Sequence, residues 1–169
     1  MTWRGHAAAG VGVGLAAAAA SRGLGLAAPD DWQAAAAVFG TGLFFSLFPD
    51  LDTSSVPQRW FYRGVFAGLV YLGWRGQHEV ATLVALVALL PVLDQHRGWT
   101  HGRLSPVLMP VALGGIYALW RWPQAGPATG LGAASVSGLH LALVAAAAAG
   151  WYGHLLLDGR FRLFPGDGD

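Results

Sequence analysis

VSGLHLALVAAAAAGWYGHLLLD, residues 136–158, stays apolar for about the length of a membrane crossing. It then ends on a histidine and an aspartate four residues apart. A helix rises 1.5 Å per residue, so about 20 apolar residues cross the hydrocarbon core of a bilayer. At i and i+4, His154 and Asp158 stand one turn apart on one helix face, where both can point at one ion. An ionisable pair at the end of an apolar helix is costly unless it has a partner or a function. Two readings fit it: a His–Asp hydrogen bond that finishes the helix, or a pair of metal ligands.

The rest of the chain has the same character. Of 169 residues 54% are hydrophobic and only 11% charged, with positive mean hydropathy. A water-facing domain carries about a quarter charged residues, so the deficit points to the bilayer. Lysine is absent and every basic side chain is arginine. The lack of cysteine excludes disulfides and thiolate ligands, so any metal must be held by His and carboxylate. A net charge of +1 gives no electrostatic case for nucleic acid.

Six apolar segments are expected, at about residues 5–28, 32–48, 60–74, 80–93, 104–120 and 136–157. Several are shorter than an ideal span, which suits tilted or half-buried helices. The first, rich in Ala, Gly and Val, has the look of a signal peptide, but further apolar segments favour a multi-pass protein. Its small residues suit close packing against neighbours. TSSVPQR, residues 53–59, reads as a polar loop. Short linkers leave no room for a soluble domain, and no internal repeat is evident. The predicted fold is all-α: a polytopic helical membrane bundle forming a single domain over residues 1–169.

Six alternating crossings sort the polar residues by side. With the start of segment one on side A, the ends of segments two, four and six lie there too. His6, Asp50, Asp52, Asp94, His96, His101, His154 and Asp158 all fall on side A. His78 and His140 fall on side B, with Asp30, Asp31 and Glu79, and read as residues outside the site. Arginines divide seven to three in favour of side A, which makes that side cytoplasmic by the positive-inside rule.

Three more stretches on side A bear on chemistry. In Pro49-Asp50-Leu51-Asp52, two carboxylates held close repel unless a cation sits between them; a solvated turn is the plain alternative. In His96-Arg97-Gly98-Trp99-Thr100-His101, neutral imidazoles can ligate a metal, and the glycine lets the backbone turn so that both converge. The same residues also suit a headgroup-level cluster, with Arg97 on lipid phosphate. His6, where segment one enters the membrane, is an interfacial residue or a ligand. Asp94 could orient His96 or Arg97.

These stretches, in this order, resemble the YdjM-like family of bacterial membrane-bound metal-dependent hydrolases. The resemblance rests on Gly5-His6, Phe48-Pro49-Asp50-Leu51-Asp52, His96-Arg97-Gly98-Trp99-Thr100-His101, and Gly153-His154 with Asp158. It implies an integral protein of the bacterial inner membrane with a metal centre. It nominates His6, Asp50, Asp52, His96, His101, His154 and Asp158 as ligands. Family members often carry His directly after the D-x-D pair and Ser after the second His of the HRG block; this chain has Thr53 and Gly102.

The expected function is therefore metal-dependent hydrolysis at the cytoplasmic membrane boundary, with both termini on that side. One or two divalent ions, zinc or manganese, would serve, since seven candidate ligands exceed the four of one tetrahedral zinc. Asp52 or Asp94 could act as general base, and Arg97 could hold an anionic group such as a lipid phosphate or another phosphoester. The rivals are a non-catalytic metal-binding scaffold and a small transporter. A transporter would place its ionisable groups near the midplane and often show inverted repeats, whereas here they sit at segment ends.

Overall fold

The computed structural model describes residues 3–52, 55–92, 99–121 and 137–159. These residues form α1 (Trp3–Gly23), α2 (Trp32–Leu47), α3 (Val56–Trp74), α4 (His78–Leu89), α5 (Ser105–Arg121) and α6 (Gly138–Leu157). Short 3-10 turns cover Phe48–Asp52, Leu90–Val92 and Trp99–His101. The fold is thus an all-helical bundle, and each expected segment holds one helix.

Local chemistry sets the ends. Leu26 N–H donates to the Ser21 carbonyl (2.8 Å) and Gly25 N–H to the Arg22 carbonyl (3.0 Å), with Gly25 at φ +68°. That paired closure with a left-handed glycine stops α1 short of residue 28. Gln77 and Gly76 repeat it at the end of α3, through Leu72 and Gly73. Asp31 caps α2 by accepting from Ala34 N–H (2.8 Å). At the other end α2 tightens into the 3-10 turn at Phe48–Asp52.

The polar stretch at 53–59 is not all loop. Ser55 accepts from Gln58 N–H (3.1 Å), and Pro57 sits in the first turn, where its missing N–H costs nothing, so α3 begins at Val56. Ser137 caps α6 in the same way, through His140 N–H (3.2 Å).

α1, α2 and α6 pack on one another, α3 packs on α4, and α5 packs on α6. The three-helix seam is made of small residues. A methyl on Gly14 would come within 2.6 Å of the Phe39 carbonyl oxygen, and one on Gly42 within 3.0 Å of Gly14 Cα. At Gly150 a methyl would collide with the Gly42 carbonyl, and at Gly10 with the Ser46 hydroxyl. Backbones approach this closely only where no Cβ intervenes, as in membrane helix pairs. Val38, Ala142 and Ala146 fill the seam towards the end where α1 stops. An aromatic cluster of Phe48, Leu51, Trp151 and Leu155 closes the other end, backed by Phe44, Phe45 and Phe61.

Among the described residues, two helical stretches are long and apolar enough to cross a membrane, Trp32–Leu51 and Gly138–Leu157. His78–Leu89 and Ser105–Leu119 are apolar but shorter. The outer surface carries exposed Leu15, Phe66, Trp74, Leu108 and Leu119.

Candidate metal centre

The start of α1, the end of α2 and the end of α6 meet at one end of the bundle, as alternating crossings require. His6 enters from α1, Asp50 from the 3-10 turn after α2, and His154 and Asp158 from the last turn of α6. His101 reaches the same place from the 3-10 turn before α5. His78 begins α4 and His140 begins α6, away from this cluster.

His154 is the centre of the arrangement and is fully buried. Its Nδ1 lies 2.8 Å from the backbone carbonyl of Ser46, an acceptor that can only be served by an N–H. The proton on Nδ1 leaves Nε2 as the lone-pair nitrogen, the form in which imidazole binds a metal. Nε2 is buried and makes no hydrogen bond. It sits 3.4 Å from Asp158 Oδ2 and 3.7 Å from Asp50 Oδ1, too far or too poorly aimed for a hydrogen bond. Donors bonded at about 2.0–2.1 Å to one tetrahedral ion stand about 3.4 Å apart, so these spacings suit a shared cation.

The Ser46 carbonyl is available for a local reason. Of the two helical donors that could serve it, the residue three along is Pro49, which has no N–H. The serine hydroxyl turns back to the Leu43 carbonyl (2.7 Å).

His6 stacks on His154, with ring centroids 4.0 Å apart and planes 21° from parallel. Its Nε2 lies 2.9 Å from Asp158 Oδ1, and its Nδ1 is buried with no hydrogen-bond partner. Asp158 therefore faces both rings, one through each oxygen. Burial works to raise its carboxyl, but the groups around it, His154 and His6 among them, outweigh that and hold it below the ordinary carboxylate value. His101 meets His154 edge to face at 5.8 Å, and its Nδ1 is 3.0 Å from the Thr100 hydroxyl.

Two triads of potential ligand atoms, each within 4.8 Å of one another, result: His6, Asp50 and His154, and His101, His154 and Asp158. Two buried imidazole nitrogens without partners, beside carboxylates and with no sulfur, form a donor set that fits a borderline divalent cation. Five of the sequence-nominated residues thus come together. The Asp52 side chain and residues Asp94, His96 and Arg97 lie outside the described residues.

The supporting frame was not apparent from motifs. Trp151 donates from its indole N–H to the Thr100 carbonyl (2.8 Å), tying the His101 turn to α6. Tyr152 adds a bond to the Arg103 carbonyl (3.2 Å). The one available signal is spacing: Trp151 stands three residues before His154 and shares its helix face.

Residues 1–160 match the family described as YdjM inner membrane protein. No curated protein and no solved structure matches the chain.

Proposed function

Because the chain belongs to the YdjM inner membrane protein family, we propose that it is a membrane-bound metal-dependent hydrolase with its ion at the cytoplasmic boundary. The observation that carries this reading is His154: one ring nitrogen is committed to a main-chain carbonyl, and the other is buried, unpartnered and flanked by Asp50 and Asp158. His6, Asp50, His101, His154 and Asp158 would hold the ion, with His96 and Asp52 as further candidate ligands. Zinc or manganese suits imidazole with carboxylate, and seven donors leave room for a second ion.

A divalent cation there would supply Lewis-acid polarisation of a substrate oxygen and would acidify water. The remaining work falls to side chains. Asp52 or Asp94 would accept the proton of the attacking water. Arg97 would orient an anionic group through its planar fork of donors, and a phosphoester is the class it fits best. A site at the end of membrane-length helices opens at headgroup depth, which favours a phospholipid over a soluble ester.

Metal content of detergent-purified protein tests the reading. Wild type should retain stoichiometric metal, and His154→Ala and His101→Ala should lose it. A metal-free wild type, or full retention by both variants, would overturn the assignment. Hydrolysis of phospholipid or a phosphodiester by the loaded protein, absent in His154→Ala, would then separate an enzyme from a scaffold.

A further inference from the structure

α4 and α5 flank a second feature, lined by none of the candidate ligands. A cavity of about 580 Å³ lies between them, floored by Phe44 and Phe45 of α2 and by Leu143 and Val144 of α6. The volume falls within the range of about 300–1,000 Å³ that small-ligand sites occupy. Leu86 and Ile116 line it and are also 59% and 51% exposed, so it opens on the outer surface.

Two of its few polar groups, both hydroxyls, are already engaged. The Thr41 hydroxyl donates to the Ala37 carbonyl (2.8 Å), and the Ser137 hydroxyl caps α6. His140 stacks on Tyr117 with centroids 5.7 Å apart. A polar ligand would find few groups to bond with, and an apolar one strands neither hydroxyl.

The shape narrows the occupant further. On α6 the lining runs from Leu139 to Ala147, roughly 12 Å along the axis at 1.5 Å per residue. The lining of this trough thus follows α6, a helix of membrane-crossing length, for about two turns, in the direction in which lipid tails lie. A helix of another chain would seat only about two turns in it.

We propose that this trough binds an acyl chain of a bilayer lipid, held between α4 and α5 against α2 and α6. Transfer from bilayer to trough gains no hydrophobic energy, since both are hydrocarbon. What favours occupation is dispersion: walls facing a void lose their contact partners, and a chain restores them. The inference depends on the membrane setting of the family and not on the metal centre.

Photolabelling tests it. The full chain is reconstituted in phosphatidylcholine vesicles containing phosphatidylcholine with a mid-chain diazirine, with chelator present throughout, and adducts are mapped by mass spectrometry. Adducts are expected at Leu143 and Val144, in addition to the annular labelling of exposed Leu108 and Leu119. Val87→Trp, which fills the trough from α4, should cut labelling at Leu143 and Val144 by at least about threefold and leave Leu108 and Leu119 unchanged. Leu113→Phe fills it from α5 and should act alike, which covers the case in which one variant misfolds. Labelling of Leu108 and Leu119 without Leu143 and Val144 would overturn the proposal. So would adducts at Leu143 and Val144 that persist undiminished in both filled variants. A Leu143→Cys chain that oxidises to a disulfide dimer in vesicles would assign the trough to a second copy instead.

Discussion

The two sides of the bundle are built on opposite terms. Where α1, α2 and α6 meet, glycines bring backbones into contact and almost every position is constrained. Where α4 faces α5, large aliphatic side chains stand around a trough. The difference follows what each side holds. A cluster of imidazoles and carboxylates depends on direction, so its frame must fix donor positions to within about 0.5 Å and ring angles to within about 10–20°. Hydrocarbon is bound without direction, and a loosely packed wall serves it.

That contrast can be broken most directly at the seam. Gly150→Leu places a branched side chain against the Gly42 backbone, which has nothing to move aside. Overpacking should cost roughly 3 kcal/mol or more and lower the midpoint of thermal unfolding in detergent by several degrees. A midpoint within a degree of wild type would show that the seam is not rigid. Next in size, His154→Ala should reduce metal affinity by about a hundredfold or more, read by competition with a chromophoric chelator, with the helical signal retained.

Asp158→Asn should weaken metal affinity by about tenfold, because it keeps the shape and loses the charge. In metal-free protein the same variant probes pH. A carboxyl held below its ordinary value adds stability above its unfolded value, and that stability is lost as pH falls through the lowered one. The gap in unfolding midpoint between wild type and Asp158→Asn should therefore be full at neutral pH and close below about pH 4. A gap that widens on acidification would contradict the ion-pair geometry. Smallest of all, His140→Ala, at the other end of α6, should leave metal content unchanged and shift stability by under about 1 kcal/mol. Loss of metal from that variant would undo the division into a polar end and an apolar flank.

Periodicity, composition and alternation carried the reading of the sequence a long way. Each of the six apolar segments holds one helix among the described residues, and the side assigned by parity to His6, Asp50, His101, His154 and Asp158 is the end at which these residues meet. Helix ends were less accessible. The polar composition of residues 53–59 masks the cap formed by Ser55 with Gln58, because the same residue types favour loops and first turns alike. The trough was beyond reach for another reason: its lining comes from four helices, and each contributes mostly apolar residues that also suit a core or a lipid-facing surface. Ser46 was hidden too, since it acts through an atom that every residue possesses.

That last point has a practical edge. An alanine scan would report Ser46 as dispensable, because Ser46→Ala keeps the carbonyl that sets the His154 proton. The position that such a scan would flag is Pro49, whose replacement returns a donor to the end of α2 and puts it in competition with a ring 105 residues further along the chain. In a deep mutational map, the tautomer of the central histidine would thus be recorded as a requirement for proline in the PDLD turn.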